Sequence, residues 1–572
     1  MKKVYSFILI TVFSASVFGQ GFNWAKKIGS TGIDQSEFIT KDLNGNLILG
    51  GQFNGTIDLD PGPNIFNVTS IGGQDFFIVK LDTNGNFLFG KSFGGTSTDA
   101  LSEVAIDNNN NILICGFFRG LADFDPSPQT YTLTTGNIGA DGFILKLDVN
   151  GNFVFAKQIG GNTTVDDHVM SIVTDNNGNI YATGYFNQTC DLDPGATQYT
   201  VTSVGGSDIF VLKLNALGNF IYAKTIGNTT GSAIGGTSTQ TGCTGEKILI
   251  NNGYVFLTGG FDSNTDFDPN NGSFNLNSNG SLDCYLLKLD LNGNFLNAIS
   301  FGSSLIDYAN ALNFDLNGNI YIGGIFNNIV DFDPGNNTVN ITSNGLKDGF
   351  LLKLNNSLQF LWCNAIGGAG DDLIHDAIID PIGNVFITGF FQNIVDFDNS
   401  INNYNLTSTG LKDVFFACYN SNGNLNYAQK YGSVLDDEGY ALIANNNKIF
   451  LAGYYQGTVD FDNSINSYNL TSSGNQDCFI LSLFNNNIFT KNFNIPYLYL
   501  SIYPNPAKTQ ITLNTTTNQI GKTLKVYDAL GKLVYESIIK QEQSNISITH
   551  WANGIYTVAI PEQNLTYKFV KE

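Results

Sequence analysis

Histidine is almost missing from this chain: there are three in 572 residues, His168, His375 and His550. No His-Glu-x-x-His motif occurs, no Gly-x-Ser-x-Gly and no sialidase-type Ser-x-Asp-x-Gly-x-Thr-Trp box, so the usual sequence signatures of metal-assisted and nucleophilic hydrolysis are lacking. Cysteine is scarce too. The seven (Cys115, Cys190, Cys243, Cys284, Cys363, Cys418 and Cys478) include no CxxC pair, which excludes the common zinc frameworks. Most lie in apolar strand runs and read as small buried hydrophobes; Cys190 with Cys243 is the one loop-to-loop pair open to a disulfide. Charged residues make up only 13% of the chain, and 49 acids outnumber 27 bases for a net charge of −22. A body this acidic repels phosphate backbones, so no nucleic-acid partner is expected.

Long apolar runs are also lacking, with one exception. Lys2-Lys3 leads into an apolar stretch from Val4 to Phe18 that is too short to span a membrane as a helix. It reads as a secretory signal over residues 1–19, cleaved after Gly19 to leave Gln20 first. No transmembrane segment is expected in the mature chain.

Glycine (63) and asparagine are plentiful, and they recur with a period. A Gly-x-aromatic pattern places glycine at 51, 116, 184, 259, 324, 389 and 453, with Phe53, Phe118, Phe186, Phe261, Phe326, Phe391 and Tyr455 two residues on. Five residues after each aromatic an Asp-x-Asp pair opens: Asp58/Asp60, Asp123/Asp125, Asp191/Asp193, Asp266/Asp268, Asp331/Asp333, Asp396/Asp398 and Asp460/Asp462. A second marker, the glycine closing each Ala-Lys-x-Ile-Gly-like segment, falls at 29, 94, 160, 227, 302, 367 and 432. Its spacings are 65, 66, 67, 75, 65 and 65, the long fourth unit carrying a Gly/Thr-rich insertion from Asn228 to Gly245. Composition alone does not produce two such rulers; this is a repeat protein.

Each unit holds four strand candidates. In the second they are Glu103 to Ile106, Ile112 to Phe118, Gly142 to Leu147 and Phe153 to Ile159, with one long loop in the middle. Asn-Gly at the hairpin tips, as at Asn44-Gly45 and Asn150-Gly151, predicts two-residue type I′ turns. The strands are apolar on both faces, as sheets buried on both sides require. Four-stranded sheets stacked face to face in a ring make a β-propeller, and seven units predict seven blades. Trp24 to Gly29 matches a fourth, outer strand with no third strand before it, so it is expected to complete the last blade; Ile488 to Phe493 competes for the same edge. These units resemble the bacterial seven-bladed β-propeller repeat family, which shares the Gly-x-Phe, Asp-x-Phe-x-x-Lys-Leu and Gly-Asn hairpin elements. The resemblance covers residues 21 to 494, implies a fold, and brings no catalytic residues with it.

The period stops at Ile495-Pro496. Leu500-Ser-Ile-Tyr-Pro-Asn-Pro506 opens a segment of short strands, with Val526-Tyr527-Asp528-Ala-Leu-Gly531-Lys532, Gly554-Ile-Tyr556 and Tyr567-Lys568-Phe569-Val570-Lys571. It reads as a small β-sandwich. These motifs, in this order, resemble the C-terminal sorting domain of type IX secretion cargo. The resemblance implies the secretion machinery as a partner through residues 500–572, passage through the outer membrane, removal of this domain, and release or attachment at the cell surface. The expected organisation is therefore a signal (1–19), an all-β seven-bladed propeller (20–494), a linker (495–499) and the sorting domain (500–572).

Two acidic loop sets fall on one propeller face. One holds Asp34, Asp99, Asp166/Asp167, Asp307, Asp371/Asp372 and Asp436/Asp437; the other holds the seven Asp-x-Asp pairs. Residues i and i+2 of an extended chain point the same way, so each pair carries repulsion on the order of 2 kcal/mol at an effective dielectric near 20. Backbone N–H donors in turns offset it in the structural reading, with Lys80, Lys146, Lys213, Lys288 and Lys353, five residues after an Asp, as ion-pair partners. Calcium is the alternative occupant, although no EF-hand pattern follows. His168 and His375 lie eight residues after their marker glycines, at equivalent inner-strand positions near the pore mouth, where Glu37, Ser102, Asn310 and Tyr440 stand in other units. With Glu37, His168, Asn310, His375 and Tyr440 as candidate binding residues, the chain reads as a surface-displayed binding or adhesion module for a glycan or protein ligand. A glycan hydrolase or lyase using acids at the pore mouth, and a scaffold without a small ligand, are the alternatives.

Overall fold

The computed structural model describes residues 21–484 apart from 162, 229–241 and 446, and residues 501–572 apart from 504–505, 516–519, 542 and 561–564. The signal, the linker, the competing strand Ile488 to Phe493, part of the Asn228 to Gly245 insertion and part of the Tyr-Pro-Asn-Pro opening lie outside the described residues. The chain divides into two compact units, Met1–Asn486 and Asn487–Glu572.

Among the described residues the first unit holds seven four-stranded antiparallel sheets and no helix, two of the sheets extended by a small hairpin. Their innermost strands are Asp34–Lys41, Ala100–Ile106, His168–Thr174, Thr244–Asn251, Tyr308–Phe314, Leu373–Ile379 and Glu438–Asn445. Each touches the next, and the last touches the first, which is the arrangement of a β-propeller. Sheets 1 to 7 are named here in that order. Gly21–Ile28 pairs antiparallel with Asp477–Phe484 as the outermost strand of sheet 7, with Ala25 opposite Leu481, so the N-terminal strand closes the ring as expected.

The apolar cores sit between sheets. Ile28, Leu49, Phe53 and Phe77 of the first sheet and the closing strand pack with Phe450, Ala452 and Ile480 of the seventh in one buried cluster. The aromatics of the Gly-x-aromatic pattern are fully buried, Phe53 through Tyr455 alike, and serve this core rather than any surface. At about 25 cal/mol per Å² of apolar surface removed from water, such inter-sheet clusters are the main force holding the ring.

The hairpin tips correct the turn expectation. Only the glycine of each Asn-Gly has positive φ (Gly45 at 85°, Gly151 at 78°), whereas a type I′ turn needs two such residues. Gly45 N–H bonds the Asp42 carbonyl and Asp42 N–H bonds the Asn46 carbonyl, which gives a longer loop with glycine in the left-handed position. The reason is Asp42 itself: its Oδ1 accepts from Asn44 N and Asn46 N and its Oδ2 from Asn46 Nδ2, each at 2.8 Å. That carboxylate is also the true partner of the recurrent lysine. Lys80 Nζ lies 2.9 Å from Asp42, Lys146 2.8 Å from Asp107 and Lys353 3.7 Å from Asp315. Residues five apart in a strand face opposite ways, so Lys80 could not reach Asp75.

The long middle loop is not irregular. In sheets 1 to 4 and 7 it forms a separate short hairpin, Leu121–Asp123 with Thr132–Thr134 in sheet 2, and in sheets 5 and 6 it continues the second and third strands. The hairpin clasps the preceding sheet: Asp123 pairs with marker Gly94, Asp266 with Gly227, and single bridges join Asp58 to Gly29, Asp191 to Gly160 and Asp396 to Gly367.

The second unit, described by itself, is two small sheets about one core. Ser501–Tyr503, Gln510–Asn514 and Gln543–Ser547 form one; Thr523–Tyr527, Leu533–Ile538, Gly554–Ile560 and Leu565–Lys571 form the other. Ile511, Val526, Tyr556, Val558 and Phe569 are buried between them.

Candidate ligand-binding mouth

Every innermost strand bulges once, one residue being left unpaired against its neighbour. The seven bulged positions are Glu37, Ser102, Met170, Glu246, Asn310, His375 and Tyr440. A bulge re-aims a side chain, and here it turns one residue per sheet toward the ring axis. Four of the five sequence candidates belong to this ring. His168 does not, and its equivalence to His375 is corrected. The loop before strand three is two residues longer, with Asp141 and Asp167 26 apart where Asp75 and Asp99 are 24 apart. His168 therefore sits where Tyr308 and Glu438 do, at the strand's start.

The ring is not uniform. On the side of sheets 6, 7 and 1, the His375 ring stacks on Tyr440 with centroids 4.3 Å apart, and its Nε2 lies 3.2 Å from Glu438 Oε2. Glu438 Oε1 accepts from Lys412 Nζ at 2.7 Å and from Tyr454 Oη at 2.8 Å. Burial works to raise the Glu438 carboxyl, but the His375 and Lys412 contacts outweigh it and hold it down at about 2. Glu37 has only a neutral donor, Gln52 Nε2 at 2.5 Å, and burial pushes its carboxyl up to about 7. The residue is half-buried, and desolvation is the dominant influence on its carboxyl.

On the side of sheets 2 to 5, His168 stacks on Phe117 at 4.0 Å and meets Tyr185 at a tilt, centroids 4.9 Å apart. Its Nε2 is buried without a hydrogen-bond partner, and burial lowers its pKa to about 4, so the ring is neutral at neutral pH. Asn310 Oδ1 is likewise buried and unpartnered. Glu246 lies beside Tyr308, its carboxyl raised by burial with Tyr308 opposing.

One residue past the bulge an ion pair links two sheets. Lys247 Nζ of sheet 4 reaches Glu103 Oε1 of sheet 2 at 2.5 Å and lies 5.4 Å from the Phe38 ring of sheet 1. Ser171 of sheet 3 donates to Glu103 as well, and Asp376 of sheet 6 contributes to raising the Lys247 pKa. This Lys247–Glu103 pair joins sheets 4 and 2 at the base of the cup that the bulged residues form.

The Asp-x-Asp carboxylates, candidate calcium ligands by sequence, lie away from this cup and act as turn acceptors. Asp58 Oδ1 accepts from Asp60 N at 3.1 Å and Phe66 N at 2.8 Å. The same pair of bonds repeats at Asp123, Asp191, Asp266, Asp331, Asp396 and Asp460. The second aspartate of each pair caps the turn that follows. Asp60 Oδ1 accepts from Gly62 N at 2.8 Å, Asp125 from Ser127 N at 2.9 Å, Asp193 from Gly195 N at 2.8 Å and Asp268 from Asn270 N at 3.0 Å. Asp333 accepts from Gly335 N at 2.8 Å, Asp398 from Ser400 N at 2.9 Å and Asp462 from Ser464 N at 3.0 Å. Asp193 Oδ2 is taken as well, by the Thr197 hydroxyl. Main-chain N–H donors thus offset the repulsion within every pair. Among the described residues no three His, Cys, Asp or Glu side chains converge as a ready metal cage.

None of the seven cysteines is in a disulfide; Cys190 and Cys243 are buried in different strand contexts, and the pairing considered from sequence is not formed. Counting from the marker glycine missed Met170 and Glu246, since that loop varies in length. Counting back from the Gly-x-aromatic glycine finds them: the bulged residue lies 14 or 13 positions before it in every unit. The Glu438–Lys412–Tyr454 cluster joins three strands and left no local signal.

Residues 501–572 match the family described as Secretion system C-terminal sorting domain. An uncharacterized WD repeat-containing protein of Acanthamoeba polyphaga mimivirus is 24% identical over 515 residues, 77% of this chain. The chain spans 36% of that relative's length. Among solved structures, PorZ, a surface component of the type IX secretion system of Porphyromonas gingivalis, is 12% identical, with 96% of this chain and all of that chain covered and a TM-score of 0.22. A Dyadobacter fermentans protein of unknown function is 11% identical, covering 81% of this chain and 98% of that one, with a TM-score of 0.32.

Proposed function

With residues 501–572 as a type IX sorting domain, the protein is secreted or held at the outer surface, and we propose that its propeller is a binding module for a glycan taken at the pore mouth. The observation that carries this reading is the cup itself: half-buried aromatic rings, carboxylates and amides from several sheets gather at the bulge ring, with the Lys247–Glu103 pair beneath them. Rings offering apolar faces beside fixed hydrogen-bonding groups suit sugars, which present both kinds of surface. The type IX machinery is the partner in export, and cleavage at both ends leaves the propeller as the mature part. The test is a glycan array probed with the mature propeller and with His375→Ala and Tyr440→Ala. Binding lost in both variants supports the site; equal binding by all three moves it elsewhere, and no binding at all favours a scaffold role.

A second reading has one observation behind it. Glu37 is raised to about 7 while Glu438 is held at about 2, and both carboxylates act on the same Tyr440 hydroxyl. Carboxyls pushed apart in this way are what a glycan-cleaving acid and its ionised partner need. New reducing ends from a bound glycan, abolished by Glu37→Gln with binding retained, would establish it; intact glycan after prolonged incubation would remove it.

A further inference from the structure

The carboxylates of the mouth divide by the partners they have. Glu438 is held by Lys412 and His375, and Glu103 by Lys247, so both lysines of the mouth are committed to acids. Arg119, the sole arginine of the chain, is likewise paired with Asp166 at 2.6 Å. Glu37 and Glu246, at the bulges of sheets 1 and 4, have no cation among the described residues. Glu37 meets the neutral Gln52 amide, and Glu246 meets the hydroxyls of Tyr308 and Thr244. Asn310 Oδ1, at the bulge of sheet 5, is buried and also lacks a donor.

This imbalance bears on which glycan fits. A uronate or a sulfated sugar would bring a further anion against Glu37 and Glu246, both half-buried, and like charges there repel. A sugar amine does the opposite. Its ammonium is a donor and a cation, and it supplies Glu37 with the charge-assisted hydrogen bond that Lys412 gives Glu438. Tyr440 lies close enough to feel the Glu37 charge, so its ring is at hand for the same ammonium. Across the mouth, the half-buried Phe117 and Tyr185 rings that flank His168 offer apolar faces to further sugars of one chain. A lone lysine side chain of a protein would leave those rings unused.

Building on the mouth as the glycan site, we propose that its ligand is a glycan of amino sugars with free amines, one ammonium lying at Glu37 beside Tyr440. Glu37 is then the residue that separates such a chain from its N-acetylated and acidic counterparts. Burial raises the carboxyls of both Glu37 and Glu246, as expected where a desolvated acid lacks a compensating cation, whereas Glu438 with its two cations is held low.

The experiment is calorimetry of the full chain with three hexasaccharides: glucosamine with free amines, the same chain N-acetylated, and a hexuronate. The free-amine chain should bind about tenfold more tightly than the N-acetylated one, the worth of one charged hydrogen bond, and the hexuronate most weakly. Glu37→Gln should bring the first two together while the N-acetylated affinity stays in place. Glu37→Asn, which copies the residue sheet 5 carries at this bulge, serves the same end if the glutamine disturbs folding. Equal affinity of the parent for the first two chains, or a preference untouched in both variants, overturns the proposal and leaves the glycan reading standing. A lysine-rich peptide held as tightly, with the same dependence on Glu37, overturns it in favour of a basic protein ligand. No binding of any hexasaccharide overturns both.

Discussion

The marker glycines have a steric cause that can be tested at Gly367. A Cβ placed there would lie 2.1 Å from Asp348 Cγ, inside any real contact distance, and Asp348 is fully buried. Gly367 is not in the left-handed region, so Gly367→Ala carries the clash without backbone strain. Either the strand shifts, at about 1–3 kcal/mol for overpacking, or the carboxylate moves and gives up its bond from Asn344 N, at about 1–3 kcal/mol for a buried unsatisfied group. The expected loss is roughly 1–3 kcal/mol. For a unit of this size the unfolding entropy is roughly 1 kcal/mol/K, so the melting temperature should fall by about 1–3 °C. Asp348→Ala removes the obstacle, and in a double-mutant cycle the alanine at 367 should cost about 1–3 kcal/mol less in that background. If Gly367→Ala melts with the parent, or if its cost is the same with Asp348 absent, the packing explanation of the second ruler is wrong.

Further expectations bear on charge and export. Burial raises the carboxyls of Asp99 to about 6, Asp372 and Asp437 to about 7 and Asp167 to about 8, all above their unfolded values. A raised acid contributes stability that is complete below the unfolded pKa and is lost as pH rises through the folded one, so melting should be lower at about pH 9 than at about pH 5, and Asp372→Asn should flatten that slope. Lys80→Met leaves Asp42 buried without its ammonium though still bonded to Asn44 and Asn46, which should cost up to about 3 kcal/mol by thermal melting, and Lys80→Met with Asp42→Asn should recover part of it. Lys247→Met should free Glu103 in the bore and disturb mouth ligands more than global stability, read as a change in binding that exceeds the change in melting. Mature material from the producing cell should begin near Gln20 and lack the segment after about Ile495; Lys571 found by mass spectrometry on surface material would contradict processing of that end.

Much of the architecture was legible because the repeat makes seven independent statements of one pattern. Apolar runs, Asn-Gly tips and the two glycine rulers identified the four strands, and the orphan strand at Trp24 announced how the ring closes. What stayed hidden depends on register or on contacts between units. The Asp-x-Asp loop folds as a clasp on the preceding sheet because its partner, the marker glycine, is some 30 residues earlier in sequence. The recurrent lysine pairs with the turn aspartate and not with the aspartate five residues before it, because Asp75 and Lys80 point to opposite faces of one strand and Asp42 is reached only through the sheet. Loop length hides the register of two strands: a two-residue extension sets His168 at the strand's start, and the long insertion before Thr244 conceals the equivalence of Glu246. The bulge ring gathers Glu37, Asn310, His375 and Tyr440, which the repeat spacing had aligned, while the cluster of Glu438 with His375, Lys412 and Tyr454 required four strands to be brought together first.

Hydrogen–deuterium exchange of the mature propeller, with and without the tightest-binding glycan from the array, tests the binding reading most directly. Protection should concentrate at the starts of the innermost strands around Glu37, His375 and Tyr440, with the outer hairpins unchanged. Protection confined to the rim hairpins, or a mouth whose exchange does not respond to the glycan, would contradict it.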